Sequence, residues 1–225
     1  MSDESGWDDF LGEAIDLGDM DMIREALAHG ADPNAMTGGD AMPRTAFYWA
    51  VAGQDMEVVR LLLESGARVA AEREADDTSL HRAVNDNYLP LIEMLLAADG
   101  AAALNWFDYI DRTPLMVAVQ NGNIEIARRL IAAGADVNAR NVVRLGNTAL
   151  HVVAANGQPD MAKLLVEAGA DPLAPGWMGI TPLDKARKRK RAEGRQVCEL
   201  LKRAAGFPTV QVQYQRNNTQ EDSHP

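Results

Sequence analysis

Histidine and cysteine, the side chains most used for acid–base, nucleophilic and metal chemistry near neutral pH, are few in this sequence and far apart. Its histidines are His29, His81, His151 and His224, and its one cysteine is Cys198. A lone cysteine closes no internal disulfide, and four scattered histidines do not complete a Cys/His metal cage with it. The strings that carry catalysis are absent as well. There is no Gly-x-Ser-x-Gly to lift a nucleophile onto a strained turn, no His-Glu-x-x-His to set two imidazoles on one helix face, and no Gly-x-x-x-x-Gly-Lys-Ser/Thr to cradle a phosphate. Cys198 stands between Val197 and Leu200-Leu201, a core-like setting in which a thiol behaves as a small apolar group. The expectation is a protein that is not an enzyme, with no cofactor, no metal and no small-molecule substrate.

Two of the histidines matter for their surroundings. Thr78-Ser79-Leu80-His81-Arg82-Ala83 returns as Thr148-Ala149-Leu150-His151-Val152-Val153, and looser copies begin at Thr45, Thr113 and Thr181, so the threonines advance by 33, 35, 35 and 33 residues. A second landmark keeps the same phase: Gly30-Ala31-Asp32-Pro33-Asn34, Gly66-Ala67-Arg68, Gly100-Ala101, Gly134-Ala135-Asp136-Val137-Asn138 and Gly169-Ala170-Asp171-Pro172. Counting back from Gly30 puts Asp9 at the threonine position of a degenerate first copy, which makes six.

Elements of helical period must carry these landmarks. Thr before Pro is a helix start, because the hydroxyl caps free backbone donors and Pro suits the first turn. Apolar residues follow at helical spacing, as in Val58, Val59, Leu62 and Leu63. Gly18, Gly122 and Gly157 divide copies into two helices, and the terminal glycine supplies a left-handed cap. Each helical hairpin is apolar on two sides and can hide that surface only against neighbours, so the copies must stack. From the threonine position to the terminal glycine the distance is 21 or 22 residues in the first five copies, whereas glycine to the next threonine varies from 12 to 15. An added residue inside a helix would turn every later contact by about 100°. The connections absorb the changes.

The Thr-Pro-Leu-His-x-Ala pattern, the central glycine and the terminal Gly-Ala-Asp-x-Asn resemble ankyrin repeats, closely over residues 30–186 and loosely over 7–29 and 187–206. The resemblance implies an all-α ankyrin-repeat solenoid of about six helix-turn-helix repeats with β-turn fingers, spanning 1–206. Its repeats are expected near 7–40, 41–73, 74–108, 109–143, 144–176 and 177–206, the last as a C-terminal cap. The resemblance also implies that His81 and His151 bond to the backbone of a neighbouring finger, and that the protein binds another protein.

In ankyrin-like arrays the surface-facing finger positions lie one, three and four residues before the threonine, and the inner helix offers positions seven and eight after it. Carried onto this chain, the fingers give Met42, Arg44, Glu74, Asp77, Tyr109, Ile110, Arg112, Arg144, Leu145, Asn147, Trp177 and Met178. The inner helices give Asn85, Asp86, Gln120, Asn121, Asn156, Lys188 and Arg189. Exposed Trp, Tyr, Met and Arg are the material of binding hot spots. The alternative is that Trp106-Phe107 and Trp177 fold down to seal repeat junctions.

With 47% apolar and 24% charged residues the chain is globular in composition, and 22 bases against 33 acids give a formal charge of −11, which repels DNA over most of the surface. Charge is segregated: residues 1–40 hold 11 acids and one base, and residues 181–206 hold nine bases and three acids. The string Lys185 to Arg191 reads as a solubilising outer face of the cap, with an acidic partner or a nucleic-acid or targeting role as alternatives. After Gly206 the pattern changes. Thr209 to Gln215 alternates with period two, which suits a strand, and Arg216 to Pro225 has a disordered composition. With no export signal, no membrane segment and one cysteine, the expected place is the cytoplasm, and the expected state is a monomer. The Ala- and Arg-rich composition has a bacterial cast. The leading functional expectation is a non-catalytic scaffold holding a protein partner on its concave face and fingers, as an inhibitor or immunity protein. The alternatives are an adaptor or secreted effector, an enzyme with an unrecognised site, and nucleic-acid binding through the basic cap.

Overall fold

The computed structural model describes residues 4–37, 44–72 and 77–207. The expectations for Met42, for Glu74 and for the tail beyond Phe207 lie outside them. Among the described residues twelve α-helices form six consecutive pairs, each joined by a turn of two to four residues. They are α1 (Glu4–Leu17) with α2 (Met20–Ala28), α3 (Ala46–Gly53) with α4 (Met56–Glu64), and α5 (Ser79–Asn85) with α6 (Leu89–Ala98). The remaining pairs are α7 (Pro114–Gln120) with α8 (Ile124–Ala132), α9 (Ala149–Asn156) with α10 (Pro159–Glu167), and α11 (Pro182–Arg187) with α12 (Ala192–Ala204). The odd-numbered helices pack side by side in chain order as an inner row, and α10 lies between α8 and α12 in the outer row. The first connection is a finger of two short strands, β1 (Met36–Thr37) and β2 (Arg44–Thr45), paired antiparallel with Met36 opposite Thr45.

Local chemistry sets these lengths. Thr45, Thr78, Thr113 and Thr181 each accept a backbone N–H three residues on, at 2.9 to 3.3 Å, and so start an inner helix. Asp19, Asp55 and Asn123 do the same for outer helices. At the far end Gly134, with φ +99°, lets its own N–H reach the Ile131 carbonyl and the Ala135 N–H reach Leu130, which closes α8 in a Schellman cap. A left-handed residue also divides the helices in each of the first five pairs: Gly18, Gly122 and Gly157 in three of them, Gln54, directly after Gly53, in the second, and Asn87 in the third.

Asp9 differs from its expected role. It caps nothing, because α1 begins at Glu4 and runs through it. Tertiary contacts hold the extra turn: the Trp7 ring stacks on His29 at 4.1 Å and meets Phe10 edge-on, and Asp8 accepts the Asp32 N–H at 2.7 Å.

The core is one continuous band of small and aliphatic side chains, with Phe47 the largest that is fully buried. In α7 every residue from Pro114 to Val119 is buried, as expected for a helix covered on both flanks. Outer helices bury one stripe, such as Ile126, Ala127 and Leu130 of α8. Leu130 and Leu165 occupy equivalent, fully buried places. Leu130→Ala or Leu165→Ala should therefore cost about 2–5 kcal/mol through lost burial and an unfilled cavity. Urea denaturation followed by circular dichroism checks it, and an unchanged midpoint in both variants would contradict this packing.

Candidate functional site

Polar side chains buried between neighbouring pairs fix how the fingers stand. His151 accepts the Thr148 N–H at Nδ1, 3.0 Å away, so its Nε2 carries the proton and donates to the Ile180 carbonyl at 2.9 Å. His81 repeats the bridge, with Nδ1 on the Thr78 hydroxyl at 2.9 Å and Nε2 donating to the Arg112 carbonyl at 3.0 Å. These are the bonds to neighbouring fingers that the ankyrin resemblance implied. The fit is tight enough that a Cβ on Gly176 would collide with the His151 ring and the Asn147 side chain. Asn34 and Asn138 make a second bridge on the terminal-glycine side. Asn34 donates to the Gly66 carbonyl and accepts from the Arg68 N–H, and Asn138 does likewise with Gly169 and Asp171.

One buried group escaped the motif reading. Glu72 accepts from the Ser79 N–H at 2.6 Å, the Ser79 hydroxyl at 2.5 Å and the Thr45 hydroxyl at 3.0 Å, which ties the starts of α3 and α5 together. Burial pushes its carboxyl up to about 7 against the pull of those three donors.

Three successive fingers present large apolar side chains to solvent. Tyr109 is 61% exposed, Val143 89%, Trp177 57% and Met178 76%, with Ile110, Val142 and Leu145 beside them. The two readings of the aromatics divide here: Trp106 and Phe107 pack on the core, and Trp177 does not. Arg112 and Arg144, expected at the contact surface, brace these fingers. Arg112 holds the buried Asp108 carboxylate at 2.8 Å and the Gln120 side chain at 2.9 Å. Arg144 reaches Asp111 at 3.2 Å and the Tyr109 carbonyl at 3.3 Å, and Arg140 crosses to the Pro175 carbonyl. Met178 sits at φ +56° and Asp111 at φ +65°, the left-handed region that non-glycine residues enter only under constraint.

The other anticipated positions are spread along the stack. Arg44 lies over the Tyr48 ring at 5.4 Å, and Asp77 accepts the Tyr48 hydroxyl at 3.0 Å. Asp86 pairs with Arg82 at 2.7 Å. Asn85 and Asn121 are exposed and bonded to each other, side-chain amide to carbonyl, at 3.3 Å. Asn156 lines a recess of about 670 Å³ with Lys188, Arg189, Lys190 and Arg191, all exposed. Cys198 is buried on α12, as its apolar neighbours implied. Among the described residues no helix is long and apolar enough to cross a membrane.

The paired helices, threonine caps and buried imidazole bridges define a helical repeat stack, and comparison with known proteins assigns its family. The family model for ankyrin repeats matches in overlapping segments, 11–105, 72–141, 88–176 and 115–207. The chain belongs to the ankyrin repeat family. It is similar to the crystal structure of an ankyrin repeat domain from Acinetobacter baumannii AYE, at 32% identity and a TM-score of 0.74, covering 87% of this chain and 97% of that one. Among curated proteins it is similar to the probable 26S proteasome regulatory subunit p28 of Saccharomyces cerevisiae, 32% identical over 127 residues, 56% of this chain and 54% of that protein. It is also similar to human inversin, 30% identical over 98 residues, 42% of this chain and 9% of inversin. The chain thus spans about half the length of the yeast relative and about a tenth of inversin. Proteins of this family are interaction modules, so the stack is a protein-binding scaffold.

Protonation would turn the Nδ1 of His151 from acceptor to donor and orphan the Thr148 N–H. Burial holds the pKa of both imidazoles below the ordinary 6.5, against the opposing pull of Asp77 in His81 and of the Ile180 carbonyl in His151. In the unfolded chain they take up protons near that ordinary value. Their contribution to stability is therefore full above about pH 6.5 and is lost as pH falls below it toward the lower folded values. The stability advantage of wild type over His81→Gln/His151→Gln should shrink between pH 7.5 and pH 5. Urea melts of both proteins at the two pH values check this, and an advantage that grew on acidification would mean that the buried rings are charged.

Proposed function

We propose that the protein is a non-catalytic scaffold whose partner, another protein, docks across the third, fourth and fifth fingers and the adjoining concave face. One observation carries the reading: Tyr109, Val143, Trp177 and Met178 stand exposed on three consecutive fingers that polar side chains hold rigid. Solvent-exposed apolar groups on neighbouring rigid supports are unfavourable in the free protein and become favourable when a partner covers them. Rigidity adds to this, because side chains fixed in advance lose little entropy on binding. Arg112, Arg144 and Gln120 act in this reading as braces with exposed edges. Ile110, Asn85, Asn121 and Asn156 offer contacts along the groove.

The proposed biological role is inhibition of, or immunity to, another protein, with the monomer as the acting unit. Rigid coverage of a surface is what such a role needs, and the likeness to a protein named as a proteasome regulatory subunit supports a protein as the thing bound. A cytoplasmic location is proposed with it.

The test starts from affinity capture in extract of the source organism, wild type beside Tyr109→Ala/Trp177→Ala, with the partner named by mass spectrometry. Surface plasmon resonance on the purified pair then measures affinity at two salt concentrations. Each substitution should weaken binding by more than about 1 kcal/mol, roughly fivefold in Kd. The loss should persist at high salt, since buried apolar area is not screened. Unchanged affinity in both would move the binding face to the early pairs, around Asp77, Asn85 and Asp86.

A further inference from the structure

The last helical pair has two features that the fingers do not use. The first is the turn Lys188-Arg189-Lys190-Arg191 between α11 and α12, which is exposed and has no carboxylate within ion-pairing distance among the described residues. Other described bases without an ion pair, such as Arg60, Arg68 and Arg128, stand singly, whereas here four follow one another. Acids outnumber bases by 33 to 22, and Arg24, Arg82, Arg112, Arg129 and Arg144 each hold a carboxylate. Counter-charges are abundant in this protein, yet four consecutive cations are left without one, at a cost in mutual repulsion.

The second feature is a groove of about 1100 Å³ along α12, between it and α10. Val166, Cys198 and Leu200 contribute its apolar floor, and six bases stand on its walls against two acids, Glu167 and Glu199. Arg189 belongs both to this groove and to the recess that holds Lys188, Lys190 and Arg191, so the two are continuous around the start of α12. The groove opens between outer-row helices, and none of the exposed apolar finger residues lines it.

We propose that this end of the stack is a second docking surface, and that it takes an acidic amphipathic segment of a partner protein. Apolar side chains of that segment lie in the α10–α12 groove, and its carboxylates meet the 188–191 turn together with Arg195 and Arg203. Charge complementarity selects the occupant, because apolar floor and basic walls match a segment with apolar and acidic faces. A nucleic acid fits less well. The positive surface is confined to one helical pair, the opposite end carries 11 acids and one base in residues 1–40, and a phosphodiester chain has no use for the apolar floor. The proposal is independent of the finger reading, and its failure would leave that reading standing.

The experiment is fluorescence anisotropy of a labelled 14-residue peptide in which Glu and Leu recur at helical spacing, titrated with the full chain at about 50 and 300 mM NaCl. The expected result is saturable binding that weakens about tenfold or more in Lys188→Glu/Arg189→Glu and in Arg195→Glu/Arg203→Glu, with the difference shrinking at the higher salt. A charge-matched control, Arg60→Glu/Arg128→Glu on exposed positions of α4 and α8, should stay within about twofold of wild type. Four results would overturn the proposal: no binding of the peptide, equal loss in the control, a ten-nucleotide single-stranded DNA binding as tightly as the peptide, or tighter peptide binding in Val212→Ser/Tyr214→Ser. The last would make the chain's own tail the occupant.

Discussion

A buried imidazole that must accept at one nitrogen and donate at the other can do both only if the neighbouring finger stands in one register. His151 meets that condition with the Thr148 N–H behind it and the Ile180 carbonyl ahead, and His81 meets it with Thr78 and Arg112. Apolar burial alone would tolerate sliding, since Ala, Leu and Val surfaces fit in several ways, whereas a buried donor left unpaired costs about 1–3 kcal/mol. The asparagine bridges at Asn34 and Asn138 impose the same condition on the opposite side of the fingers. Together they fix the pitch at the junctions they span; in the second pair Tyr48 stands at the histidine position and reaches the next finger by donating to Asp77, and in the fourth Met116 stands there. Where the series ends, the device changes. Asp184 occupies the histidine position of the last pair and turns back to cap Thr181, because no further finger among the described residues stacks upon it.

Electrostatics adds a direction to the stack. The first two helices carry acids at their exposed positions, and the last turn and α12 carry bases, so the molecule is polar along its length while its middle fingers are apolar. Carboxylates inside follow a different rule. Glu72 is buried with three donors aimed at it and still has its pKa raised by desolvation, while Asp108 spends its charge on Arg112 and the finger backbone. Glu72 ties the start of α3 to the start of α5 and Asp108 closes the finger between Asp108 and Arg112, tasks that small apolar side chains do not perform. In this respect the acids of the interior resemble the histidines more than they resemble the acids of the surface.

The helical blocks and their caps were legible because each depends on residues a few positions apart, recurring with a fixed period. The histidine bridges span 31 and 29 residues and were implied only by the ankyrin resemblance. The bracing of the fingers was not legible. Arg144 meets Asp111 and Tyr109 across 33 and 35 residues, and Arg140 meets Pro175 across 35, so no local pattern marks either arginine as anything but exposed. Val142 and Val143 were missed for a different reason. Fixed offsets from the threonine suit connections of 12 or 13 residues, but this one has 14 from Gly134 to Thr148, and the added length places the exposed tip earlier than the offsets do. Asp9 misled because a spacing rule learned from interior repeats assumes a finger in front of the helix, and α1 instead continues into a turn that Trp7 and His29 hold down.

A scaffold that binds through exposed apolar groups must keep them from collapsing onto itself. Trp106 and Phe107 show what happens otherwise, since both have found cover on the core. Trp177 and Met178 have not, and the backbone explains the difference. The N–H of Gly176 is committed to the Ile180 carbonyl and that of Gly179 to the Gly176 carbonyl, closing a loop in which Met178 is forced to φ +56°. Such a conformation costs on the order of 1–3 kcal/mol and persists only where the surroundings over-determine it. Here the surroundings are the His151 bridge to Ile180 and the Arg140 bond to Pro175, which clamp one side of the loop to α9 and the other to the preceding finger. The polar seam that sets the pitch of the stack therefore also holds Trp177 and Met178 in water. Strain at the tip and order in the seam are two ends of one set of hydrogen bonds.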